Sequence, residues 1–126
     1  MSLRSPLGLA KGLGSAKEGL HHWWAQRVTA IALIPLTVLF AFQVALLSMS
    51  DYKTVIECIG SPWSAALIVS LIVAAFYHAA LGMQVIYEDY IGHKAVRIGA
   101  IMATNLLLFL LGAAGVIAVV RIALGG

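Results

Sequence analysis

Three long apolar runs dominate the chain, at about residues 28–49, 63–89 and 98–120, with short polar stretches between them. Each is near the ~20 apolar residues that an α-helix needs to cross a bilayer. The first run carries no charge, and Pro35 inside it is expected to kink the helix or to sit where a neighbouring helix tolerates the lost hydrogen bond. Residues 50–62 hold Asp51, Lys53 and Glu57 and read as a loop, and Trp63 marks the next interface. The second run ends in Glu88, Asp89 and Tyr90, and a tight polar loop, EDYIGHKAVR, leads to the third. That run carries a strip of Gly112, Gly115 and Ala118, suited to close helix contact, and ends at Arg121. Residues 1–27 are polar and glycine-bearing. Ser15 and Glu18 fit a capping box, which predicts a short interfacial helix from about Ala16 that lays His21, His22, Trp23 and Trp24 on the membrane surface. The expected fold is an all-α integral membrane protein: one domain over residues 1–126, three transmembrane helices and a short N-terminal interfacial helix.

Composition strengthens this pattern. The chain is 62% hydrophobic and 10% charged, against about 45–50% and about 25% in soluble domains. One small domain of this length is too thin to enclose a large cofactor alone. No apolar core follows a basic start within residues 1–27, so that stretch is not expected to be a cleaved signal peptide. Cys58 is the single cysteine, so no internal disulfide, zinc site or iron–sulfur ligation is built here, and Cys58 is expected to be an inert loop residue. GLG at 12–14 lacks the third glycine and preceding strand of a dinucleotide fingerprint.

The eight lysines and arginines are placed asymmetrically. Arg4, Lys11, Lys17 and Arg27 precede the first span and Lys94 and Arg97 follow the second, whereas only Lys53 and Arg121 lie on the other side. Their clustering at the ends of apolar runs points to membrane orientation rather than nucleic-acid binding. The expected topology has the N-terminus in the cytoplasm and the C-terminus in the periplasm of a bacterial inner membrane.

The candidate chemistry lies between Ala74 and Tyr90. On a helix, His78, Gly82, Val85 and Asp89 share one face, with Ala74 and Ala75 one turn earlier. An ionisable side chain within a span is costly and points to function, and imidazole is a standard axial ligand of haem iron. The alternative is a histidine hydrogen-bonded to a neighbouring helix. Arg27, at the mouth of the first span, is suited to a haem propionate or a ligand carbonyl, or else to anchoring the topology by snorkelling. Asp89 and Tyr90 end the second span on the same side. A tyrosine can donate to a carbonyl and an aspartate can relay a proton; the alternative for Tyr90 is an interfacial belt residue. His21, His22 and His93 are candidate surface proton carriers or simply solvated.

Two segments, GSAKEGLHHWWAQRVTA and YHAALGMQVIYEDY, resemble the small hydrophobic membrane-anchor subunit (cytochrome b type) of bacterial and mitochondrial succinate dehydrogenase, respiratory complex II. The likeness covers the whole chain and rests on the arginine-x-Thr-Ala entry into the first span and a histidine twelve residues before the tyrosine of an Asp-Tyr pair. The resemblance implies that His78 ligates haem b, shared with a histidine of a companion anchor subunit. It further implies that Tyr90 hydrogen-bonds ubiquinone, that Asp89 lies beside that site, and that Arg27 lies near the haem propionates and the quinone. FAD and iron–sulfur clusters are expected only in partner flavoprotein and iron–sulfur subunits, which oxidise succinate in the tricarboxylic acid cycle and pass electrons to this anchor. A fumarate reductase anchor that oxidises quinol, and a cofactor-free three-span structural or transport protein, are the alternatives.

Overall fold

In hydrocarbon a backbone N–H or C=O has no water to bond, so a chain this apolar satisfies its backbone within helices. A computed structural model describes residues 16–125, and every regular element among them is α-helical: α1 (Ala16–Leu47), α2 (Tyr52–Gly60), α3 (Pro62–Tyr90) and α4 (Lys94–Ala123). Three of them, α1 from Gly19 onward, α3 and α4, are long and apolar enough to cross a membrane. The protein is therefore a multi-pass, all-helical membrane protein.

Helix α1 differs from the expected pair of elements. The stretch assigned to a separate interfacial helix is continuous with the first span, giving one helix of 32 residues. No glycine or proline separates Trp24 from Val28, and Ala25, Gln26 and Arg27 all favour helix. At about 48 Å this helix exceeds the ~30 Å hydrocarbon core, so its first turns stand in the interface. Pro35 lies inside it without ending it. The capping pair Ser15–Glu18 lies outside the described residues.

The stretch read as a loop contains a further helix, α2. Asp51 caps it, its carboxylate accepting from the Thr54 N–H at 3.4 Å. The hydrogen bonds from Thr54 hold the Asp51 carboxyl below its ordinary value. Lys53 and Glu57 pair one turn apart at 3.8 Å on the exposed face, while Val55, Ile56 and Ile59 are half-buried. A Cβ on Gly60 would come within 3.3 Å of the Ile122 carbonyl oxygen, so glycine lets α2 press against the end of α4. Ser61 then turns the chain, and Pro62 opens α3, where its missing N–H costs nothing.

Helix α3 is the middle of the bundle, packing against both α1 and α4. The two glycines of the small strip on α4 pack inside the chain, while Ala118 stays exposed: a Cβ on Gly112 would sit 3.4 Å from Phe76 Cγ, and one on Gly115 3.3 Å from Ile72 Cδ1. The Tyr87 hydroxyl and Thr104 Oγ1, 2.8 Å apart, tie the same two helices near the α3–α4 turn. Among the described residues, only Leu81, Val119 and Ser64 are buried. Most apolar side chains instead face outward, as they must when lipid or another helix is the solvent.

Candidate functional site

The α1–α3 seam carries an unusual density of polar side chains for a membrane interior. Its register is antiparallel. Gln26 lies against Gly82, Thr29 bonds His78, and Gln43 bonds Ser64, each advance along α1 matching a retreat along α3. Such contacts hold helices together where no hydrophobic drive does, each worth about 0.6–2 kcal/mol. At the end of the seam near α2, Gln43 Nε2 also approaches Cys58 Sγ at 3.5 Å. Cys58 is thus a helical acceptor on α2, not a loop residue.

His78 is half-buried, with Nδ1 2.9 Å from Thr29 Oγ1. This is the one hydrogen bond its ring makes among the described residues. Of the face predicted around it, Gly82 is turned toward α1, where an added Cβ would meet Gln26 Nε2 at 3.7 Å; Ala74 and Ala75 are half-buried, and Val85 and Asp89 are exposed. One turn beyond, His22 Nε2 and Gln26 Oε1 are buried without a partner among the described residues. Leaving such atoms unsatisfied costs about 1–3 kcal/mol each, which marks the seam as more than packing. No cluster of three or more His, Cys, Asp and Glu able to hold a bare metal ion occurs among the described residues.

The other predicted residues stand apart from His78. Arg27 is exposed, and its guanidinium lies over the Trp23 ring, 5.6 Å from the centroid. Trp23 in turn meets Trp24 edge to face at 5.4 Å. Two residues before Thr29, Arg27 is rotated about 160° around α1, on the face away from α3. The register sets it level with Leu81–Gly82, about 10–12 Å short of Asp89 along the helix axis, and the two form no ion pair among the described residues. Asp89 and Tyr90 occupy the last turn of α3 and are exposed, Tyr90 at 84%. The neighbouring Tyr87 has its hydroxyl engaged by Thr104, so Tyr90 carries the available phenol at this end. His21 and His93 are exposed; His22 is partly buried in the seam.

The α3–α4 turn breaks a local rule. Glu88 and Asp89 lie at the negative end of the α3 dipole, and Lys94 and Arg97 at the positive end of the α4 dipole. Each placement opposes the helix field, at a few tenths of a kcal/mol for an exposed group. Lysine and arginine beside the end of a span are a common orientation signal. Glu88 accepts a hydrogen bond from Gln84 Nε2 at 2.9 Å, whereas Asp89 has no hydrogen-bond partner among the described residues.

Thr29, His22 and Gln26 were not singled out as a group by sequence. The available signal was their spacing, i, i+4 and i+7, which places three polar side chains on one face of an otherwise apolar helix.

Comparison with known proteins agrees with this architecture. Residues 1–119 match the family model described as succinate dehydrogenase/fumarate reductase transmembrane subunit. The succinate dehydrogenase hydrophobic membrane anchor subunit of Rickettsia bellii is 35% identical over 116 residues, covering 92% of this chain and 93% of that one. The corresponding Paracoccus denitrificans subunit is 32% identical over 121 residues, 96% of this chain and 93% of its own. The succinate dehydrogenase membrane anchor subunit of Reclinomonas americana is 34% identical over 88 residues, 68% of this chain and 73% of that subunit. With three spanning helices and a match along nearly its whole length, the chain belongs to the succinate dehydrogenase/fumarate reductase transmembrane subunits, among the hydrophobic membrane anchors.

Proposed function

We propose that this anchor supplies one axial imidazole, His78, to a haem b shared with a companion anchor subunit, with Arg27 as a further cofactor-binding residue, and part of a ubiquinone-reduction site through Tyr90 and Asp89. The observation that carries the reading is the state of His78: one ring nitrogen is bonded to Thr29 and the other has no hydrogen-bond partner among the described residues. The donor set suits iron delivered in a porphyrin, which asks one imidazole of this chain, better than a bare ion, which asks for three or four ligands. When bound, the haem supplies a one-electron redox centre beside the quinone site.

The chain's own residues then do three things. His78 would hold the haem iron through its free ring nitrogen, with the small residues Ala74 and Ala75 one turn away. Arg27, exposed and in no ion pair among the described residues, faces a companion chain with a guanidinium suited to a propionate or a quinone carbonyl. Tyr90 donates its hydroxyl to a quinone carbonyl that gains negative charge on reduction, and Asp89 passes protons to it. Flavin and iron–sulfur chemistry would belong to partner flavoprotein and iron–sulfur subunits docked on the cytoplasmic side of a bacterial inner membrane, the side for which the excess of lysine and arginine before the first span and in the α3–α4 turn argues. Electrons run from succinate to quinone when the quinone potential favours it, and the reverse direction would make the same site a fumarate reductase anchor.

The test is a reduced-minus-oxidised optical spectrum of the purified complex, wild type and His78→Ala. A b-type signal that is lost or altered in His78→Ala, with the spans still inserted, supports the reading. An unchanged spectrum rules out ligation by His78.

A further inference from the structure

We infer that Thr29 is the positioning residue that fixes the tautomer and ring orientation of His78 and so tunes it as a ligand. The inference rests on the haem reading above. A threonine hydroxyl has one proton to give and two lone pairs to receive. The Thr29 hydroxyl lies 2.7 Å from the Ala25 carbonyl oxygen and 3.1 Å from that of Gln26, the usual bonding of a helical threonine back to its preceding turn. With its proton given there, Oγ1 at 2.9 Å from His78 Nδ1 accepts, and the Nδ1 carries the hydrogen. The Nε2 lone pair is then the free donor. The opposite tautomer would put an N–H at Nε2, where no acceptor stands among the described residues, and in apolar surroundings that arrangement is penalised.

The arrangement also sets the angle of the ring. Thr29 is β-branched and has few side-chain rotamers open to it in a helix. It is half-buried against α3, and its hydroxyl is bonded to its own helix. A ligand whose remote nitrogen donates to a fixed acceptor is both oriented and made more basic, and loss of such a partner typically costs about 10–100-fold in metal affinity. A more basic imidazole favours the ferric over the ferrous state, so the Thr29 bond holds the reduction potential down.

The decisive variants, made in the intact complex, are Thr29→Val, which keeps the branched shape and removes the hydroxyl, and Thr29→Ser, which keeps the hydroxyl. Three readouts apply: haem partitioning to apomyoglobin, the low-spin ferric electron paramagnetic resonance g-values, and the haem midpoint potential. Thr29→Val should release haem about 10–100-fold more readily, with shifted g-values and a raised potential. Thr29→Ser should stay near wild type. Where Val does not support assembly, Thr29→Ala carries the same expectations. Wild-type g-values, potential and haem retention in an assembled Val or Ala variant would overturn the inference, as would a Ser variant that behaves like Val. A wild-type complex without b-type haem, or an unaltered spectrum in His78→Ala, overturns the ligand reading itself and is separable from either outcome.

Discussion

At the scale of single residues, the chemistry open to the chain depends on which polar groups are engaged and which are left available. Tyr87 and Tyr90 are three residues apart, yet one hydroxyl is taken by Thr104 and the other stands exposed at the end of α3. Tyr90→Phe keeps the ring and removes only the donor. In a shallow, lipid-accessible pocket water substitutes in part, so quinone reduction should fall about tenfold to a hundredfold, less than the loss at a closed oxyanion site. Succinate oxidation with an artificial acceptor upstream of the quinone should be unchanged. A wild-type ratio of the two activities would leave Tyr90 as an interfacial belt residue. Asp89→Asn should slow the proton-coupled step and shift its pH profile, and a superimposable profile would remove Asp89 from proton delivery. Sequence made His78 legible, because a lone imidazole in an apolar run is conspicuous. Thr29 was legible only as part of a motif, since a threonine mid-span is ordinary until the neighbouring helix is in place. The separation of Arg27 from the Thr29 face follows from helical phase, but which face of α1 meets α3 is decided by tertiary packing.

At the scale of elements, the three long helices were readable because bilayer thickness sets their length and lipid forbids other backbone arrangements. Helix α2 was not, because nine residues with two charged side chains look like a loop, and its cap bond from Asp51 is visible only in three dimensions. Its capping should depend on pH. The Asp51 carboxyl is held below its ordinary value when folded, so its contribution is present at neutral pH and lost as pH falls through the acid side of the carboxylate range. Amide exchange in α2 should therefore speed up in acid relative to α3, beyond the intrinsic rate change, and Asp51→Ala should abolish that difference. Equal pH dependence with and without the carboxylate would contradict the role. The glycine strip was recognised as a contact face, but sequence could not say whose. Because Ile72 fills the space at Gly115 while nothing lies within 4 Å of a Cβ at Gly99, the two positions make a matched pair. Gly115→Leu should destabilise the bundle by about 1–3 kcal/mol through overpacking, and Gly99→Leu should be near neutral in the same thermal melt. Similar losses from both would mean that the α3–α4 seam is not the close contact.

At the scale of the whole molecule, most of the described apolar side chains are left uncovered. With so few of the described residues buried, the chain's apolar faces are left to lipid or to other helices, and in the proposed reading His78 supplies one of the two ligands of a six-coordinate haem. The basic asymmetry predicts that a tag at the C-terminus is reached from the periplasm and a cysteine at position 94 from the cytoplasm; cytoplasmic reactivity of both would overturn the topology. The most direct measurement is haem content and spin state of this chain expressed alone and in the co-expressed complex, each purified through the same tag. No stable low-spin haem is expected on the isolated chain, and one haem per chain is expected in the complex, co-purifying with the companion anchor, flavoprotein and iron–sulfur subunits. A normal low-spin haem on the chain alone, or an intact, quinone-reducing complex with no haem, would contradict the shared-haem reading.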